Sequence, residues 1–190
     1  MRVFTKCRGH RPAPCAATLA ALLGFAAFAQ AAPFTNGSFE SPGGSTTELG
    51  VGSTHVTGWV HGVTSGAEFY TTSNHFSIPA GDGTHYITWG GVGIVGGTLS
   101  QTFDTTPGTT YAVNYLLTTQ QFFAPILPVQ SNSVQAFDGA TLLNSTTNSF
   151  NMAAGVWLAG NQLTFTATSA STTLVFTDTT TPQNSPPINR

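Results

Sequence analysis

From residue 84 onward, apolar and polar side chains alternate with period two, the spacing of strands that bury one face. In THYITWGG, Ile87 and Trp89 share one face, with Tyr86 and Thr88 on the other. TLSQTFDT places Leu99, Gln101 and Phe103 together, and TYAVNYLLTT does the same for Tyr111, Val113, Tyr115 and Leu117. NQLTFTATS groups Leu163, Phe165 and Ala167, and STTLVFTDT groups Leu174 and Phe176. Turn signals separate the runs: Pro107-Gly108, Asp138-Gly139 and Ala159-Gly160-Asn161. No apolar stripe of helical period follows residue 31. Short Thr-rich strands joined by Gly/Pro turns predict an all-β fold, an antiparallel sandwich or jelly roll. Residues 43–66 read as loops framing one short strand near Val56-Thr57-Gly58-Trp59. Residues 120–133 read as irregular, because Pro125 and Pro128 forbid a central strand.

The first 31 residues follow a different rule. Arg2, Lys6, Arg8 and Arg11 precede an apolar run from Ala16 to Ala29, and Ala29-Gln30-Ala31 fits the small-x-small cleavage pattern of a secretory signal. The run is too short to span a bilayer core of roughly 30 Å. The division expected is therefore a signal peptide over 1–31 and one domain over 32–190. That domain would be secreted or extracellular, without membrane insertion once the signal is gone. Cys7 and Cys15 would leave with the signal, so the domain would hold no disulfide.

Charge narrows the partners. Four of the five Lys+Arg lie in the signal and the fifth is Arg190, whereas all seven acids lie beyond residue 39. A body without cations cannot neutralise phosphates, which excludes nucleic acid and phosphorylated cofactors.

Catalytic signatures are sparse. His55, His61, His75 and His85 lack metal-ligand spacing. Glu68 and Asp82, fourteen residues apart, are the pair that glycoside hydrolysis would need, but spacing alone does not bring them together. There is no G-x-S-x-G elbow and no phosphate loop. The expectation is a protein that is not an enzyme.

Several segments resemble a known family in their order and spacing: NGSFESP at 36–42, Gly58-Trp59, Ala67-Glu68-Phe69, GDGTHYITWGG at 81–91, Gly97 to Phe103, PGTTYAVNYLL at 107–117 and TFTATSASTTLVFTDT at 164–179. They resemble the exported bacterial choice-of-anchor C family, related to plant cell-wall proteins of unknown function built from galactose-binding-like domains. The resemblance spans about residues 34–180. It implies a galactose-binding-like jelly roll at the cell surface or in the matrix, non-catalytic, with polysaccharide or another glycan as partner. It also implies a structural calcium near Glu40, with Asp178 or Asn189 standing in for a late acid. The end, TPQNSPPINR, lacks the family's sorting tail and reduces its last strand to Pro187-Ile188-Asn189. A sheet edge left open there would permit self-association, the structural alternative to glycan binding. Sugars stack their C–H faces on aromatic rings. Trp59, Trp89 and Trp157 read as core, leaving Tyr70, Phe76, Tyr86, Phe122 and Phe123, in or beside loops, as carbohydrate-binding candidates.

Overall fold

The computed structural model describes residues 33–62, 68–75, 78–89, 96–119, 129–150 and 155–180. Among them run ten strands: β1 (Thr47–Leu49), β2 (Val60–His61), β3 (Glu68–Thr72), β4 (His85–Thr88), β5 (Thr98–Asp104), β6 (Thr110–Leu117), β7 (Gln130–Asp138), β8 (Thr141–Phe150), β9 (Leu158–Thr166) and β10 (Ser171–Asp178). No helix among the described residues is long and apolar enough to cross a membrane.

All pairings are antiparallel. One sheet has the order β2-β5-β10-β7-β8; facing it are β1-β3-β4 and the pair β6-β9. Inward side chains from all three sheets, including Leu49, Tyr70, Leu99, Val134, Leu163 and Leu174, form one buried cluster. The all-β sandwich expected from the alternation is what the chain forms. β10, the last described strand, lies in mid-sheet between β5 and β7.

Gln101 shows how a polar residue can occupy an inward position. It is 3 % exposed, and its amide accepts from the Thr35 N–H at 2.8 Å and donates to the Thr35 carbonyl at 3.0 Å. This replaces a strand pairing for the N-terminal segment and satisfies both buried groups. Hydroxyl pairs also tie strands together, among them Thr102–Thr173, Thr110–Thr166 and Thr105–Thr172.

Some expectations are corrected. The stretch 43–66 holds two strands, β1 and β2, rather than one. The turn expected at Ala159-Gly160-Asn161 lies inside β9, where the register against β6 shifts between Tyr115 and Leu117. Gly160 has φ +84°, so the glycine serves a bulge in a continuing strand. β8, TLLNSTTNSF, was not foreseen; it is largely exposed and carries no apolar alternation.

Candidate functional site

The NGSFES segment forms a turn rather than a first strand. Asn36 has φ +53° and Phe39 φ +60°. The Asn36 side-chain amide donates to the carbonyls of Ser41 (2.7 Å) and Thr57 (3.0 Å), while its oxygen accepts from the Ser41 N–H at 2.9 Å. The turn presses Phe39 on Trp59, ring centroids 5.3 Å apart, and sends Glu40 the other way.

Glu40 reaches 44 and 45 residues along the chain. Its Oε1 accepts from the N–H groups of Thr84 (2.7 Å) and His85 (3.0 Å); its Oε2 accepts from the Thr84 hydroxyl and faces His85 Nδ1 at 3.3 Å. The Thr84 hydroxyl and N–H, with help from His85, outweigh the small effect of burial and lower the carboxyl pKa to about 2. Gly83 sits between them with φ +61°, and a Cβ there would lie 2.2 Å from Glu40 Oε1. His85 completes the brace. Its Nε2 lies 3.2 Å from the Gly44 carbonyl, and its ring stacks on Tyr70 at 4.7 Å.

Glu40 is thus surrounded by hydrogen donors. Calcium requires several oxygen acceptors around one point, and this donor set does not fit such a shell. Asp178 sits on β10, where its Oδ1 accepts from the Thr180 N–H; burial pushes its pKa up. Among the described residues, no group of three or more His, Cys, Asp or Glu side chains could hold a metal ion. Asn189 lies outside the described residues.

The aromatic candidates divide. Tyr70, expected at the surface, is fully buried, its hydroxyl accepting from the Gly43 N–H at 3.0 Å. Tyr86 is 4 % exposed and donates to the His75 carbonyl; burial raises its pKa to about 12. Neither offers a face to a sugar in solvent. Both point inward because the two faces of β3 and β4 are covered, which alternation within one strand does not reveal. Phe76, Phe122 and Phe123, and the side chain of Glu68, lie outside the described residues.

What the structure does assemble is a cavity. A space of about 540 Å³ opens between the sheets, bounded by Trp59, Leu99, Phe103 and Phe176 on one side and by Tyr111, Val113 and Tyr115 of β6 on the other. Tyr86, Trp89 and Trp157 close a third wall, and Ser38, Asp82 and Asp104 are among its polar groups. Close-packed interiors leave few voids larger than a water, whereas ligand pockets fall in this size range. The β6 alternation is real, but Tyr111, Val113 and Tyr115 remain half-buried because they face this space. Trp89 packs against the buried cluster as expected and also lines the cavity, whereas Trp157, expected in the core, is a cavity wall outside that cluster.

The walls are held in place. The Trp157 indole donates to the Pro79 carbonyl at 2.9 Å, and its ring lies so close to Gly81 that a Cβ there would come within 2.6 Å. The Tyr111 hydroxyl accepts from the Thr106 N–H, and the Tyr115 hydroxyl from the Asn148 amide. Ser38 donates to Asp82 at 2.6 Å. Trp89 differs: its buried Nε1 has no hydrogen-bond partner. A buried donor left unmet costs about 1–3 kcal/mol, which the fold bears at this ring. Alternation could indicate the faces of these strands, but not that the opposing layer stands back from them.

No curated protein matches the chain. Among the solved structures that resemble it in fold are two from Fischerella sp. TAU. One is the Stig cyclase Fisc in complex with (3Z)-3-(1-methyl-2-pyrrolidinylidene)-3H-indole, at 19% identity and TM-score 0.54, covering 78% of this chain and 88% of that one. The other is a cyclase in complex with 4-(1H-indol-3-yl)butan-2-one, at 18% identity and TM-score 0.52, with the same coverage. At such identity the likeness concerns the fold. It nonetheless overturns the expectation that the chain is not an enzyme, since that expectation rested on a sandwich read as non-catalytic and this sandwich is shared with cyclases. The resemblance seen in the sequence holds at the level of the plant cell-wall-type domain rather than the choice-of-anchor grouping. The family model matches residues 32–188, and the chain belongs to the family described as protein of unknown function (DUF642).

Proposed function

We propose that this chain binds a small, ring-bearing, largely apolar molecule in the cavity between its sheets and promotes its isomerisation or ring closure there. The observation that carries the proposal is the cavity itself, about 540 Å³ and walled by aromatic rings. Such a space suits a flat apolar body. The fold shared with indole-bound cyclases supports the reading and supplies its chemical class. Ring closure by isomerisation consumes no co-reactant, so it asks only for shape, exclusion of water and a group that relays a proton. The Ser38–Asp82 pair on the cavity wall is a candidate for the relay. With the first 31 residues read as a secretory signal, this activity would lie outside the cytoplasm. A soluble glycan is the competing ligand, drawn from the family resemblance; the inward placement of Tyr70 and Tyr86 removes two of its five stacking candidates.

The test is quenching of tryptophan fluorescence by 4-(1H-indol-3-yl)butan-2-one, alongside a panel of neutral and acidic glycans. Saturable quenching by the indole, reduced in Trp89→Phe, is the expected result. Binding of a glycan with none of the indole would reject the proposal.

A further inference from the structure

Seven consecutive residues of β6, Tyr111 to Leu117, line the cavity. One face of a strand cannot do this alone. Tyr111, Val113 and Tyr115 pack inward against the core, whereas Ala112 and Asn114 are exposed on the opposite face. The cavity therefore also runs along an edge of β6, and β6 pairs with β9 alone, so that edge carries no ladder. The phase of the hydrogen bonds says which groups lie there. The Ala167 N–H donates to the Thr109 carbonyl, so in the antiparallel register Tyr111, Val113 and Tyr115 turn their N–H and C=O toward β9. Ala112 and Asn114 turn theirs the other way, to the open edge. A second bare edge borders the same cavity. β4 pairs with β3 alone, and the Ser73 N–H donates to the Thr84 carbonyl, which sets Tyr86 toward β3 and turns the N–H groups of His85 and Ile87 away from it. Glu40 Oε1 accepts the His85 N–H, where a neighbouring strand's carbonyl would sit. Beyond it Ile87 lines the cavity, and no strand pairs with its outer edge.

Resting on the cavity reading above, we propose that the ring the cavity takes is the side chain of a short extended peptide, which pairs antiparallel with the open edge of β6. Every ladder of this fold is antiparallel. Ala112 and Asn114 offer two N–H/C=O pairs about 7 Å apart, the two-residue repeat of a strand, and an extended backbone meets both. A ring ligand without amides would strip water from these groups and return no hydrogen bond. The side-chain phases agree as well. A peptide residue opposite Ala112 or Asn114 bonds β6 and turns its side chain outward with theirs. The residues between turn their side chains into the aromatic cavity and their N–H groups toward the β4 side. Charge selects the outward side chains. Asp82 is exposed at the cavity, and every Lys and Arg of the chain falls at positions 2, 6, 8, 11 or 190, outside the described residues, so a basic outward residue is favoured over an acidic one.

Calorimetry with acetyl-Thr-Val-Lys-Trp-Thr-amide tests this, beside the same peptide methylated on the backbone nitrogen of its lysine and beside 4-(1H-indol-3-yl)butan-2-one. The parent peptide is expected to bind about tenfold more tightly than the methylated one, which keeps the ring and the charge but loses an edge hydrogen bond. A version with glutamate in place of the lysine should bind more weakly than the parent. On the protein, Ala112→Pro removes an N–H from the open edge and no bond to β9. That variant should still melt cooperatively and lose about tenfold in affinity for the parent peptide. Equal binding of the parent and methylated peptides to the wild-type protein overturns the proposal, whether or not the variant folds. So does binding of the ketone without the parent peptide, or a folded Ala112→Pro that binds the parent as tightly as the wild type. Failure of every ligand, the ketone included, would instead strike the cavity reading on which the proposal rests.

Discussion

The sandwich is filled differently along its length. Where β7 meets β9, the inward residues Val134, Ala136 and Leu163 are all at 0–1 % exposure. Where β5 and β10 face β6, the corresponding positions Tyr111, Val113 and Tyr115 are only half-buried, and the space between holds the cavity. Both regions use the same strand alternation and similar side chains. One region spends its apolar surface on stability; the other keeps rings apart at a distance suited to a third body. The hollow persists because its walls are fixed from behind, Trp157 by Pro79 and Gly81, and the Thr84–His85 segment by Glu40.

The comparison breaks most readily with paired truncations. Leu163→Ala in the filled region should cost about 2–5 kcal/mol, and Val113→Ala on the cavity wall less than about 1 kcal/mol, measured as urea midpoints at constant slope. Equal losses would mean the two regions are packed alike. Next in size is Gly83→Ala, which places a methyl against the Glu40 carboxyl at φ +61° and should destabilise by about 1–3 kcal/mol. In a Glu40→Ala background the loss should shrink, and a double-mutant cycle showing no coupling would remove Glu40 from its bracing role. Val113→Phe sharpens the contrast from the other side. Overpacking a filled core costs typically 1–3 kcal/mol, but here the ring enters empty space, so the melting point should hardly move while indole quenching is lost.

The smallest effect is the dependence on pH. Glu40 has its folded pKa depressed from 4.5 to about 2, so it favours the folded state above the unfolded value, and that contribution disappears as pH falls from about 4.5 toward 2. Its side chain is 40 % exposed, so solvent screening keeps the contribution modest. Asp178 works in the opposite sense: burial favours its neutral form, and protonation stabilises the fold at that site. Glu40→Gln should therefore flatten the acid limb of a stability–pH profile. An unchanged limb would assign acid sensitivity to other groups.

Much of the fold could be read in the sequence, and much less of the site. Leu99, Phe103, Leu163, Phe165, Leu174 and Phe176 follow strand periodicity and occupy the inward positions it predicts. β8 escaped because Thr, Asn and Ser fill both its faces, so no period marks it. The ligand reading of Glu40 comes from the family resemblance, which implies a calcium near the first strand. Its partners lie 44 and 45 residues away, and only tertiary structure shows that they donate rather than accept. For Trp89, periodicity assigns a face without showing how far off the opposing sheet stands.

The threonine pairs that cross the sheets have a consequence of their own. Thr102–Thr173, Thr110–Thr166 and Thr105–Thr172 join strands through neutral hydroxyls, where many proteins place oppositely charged side chains. Mobile ions weaken attraction between exposed charges, but they have little hold on a hydroxyl dimer. Such a scaffold should melt at much the same temperature in fresh water and in brine.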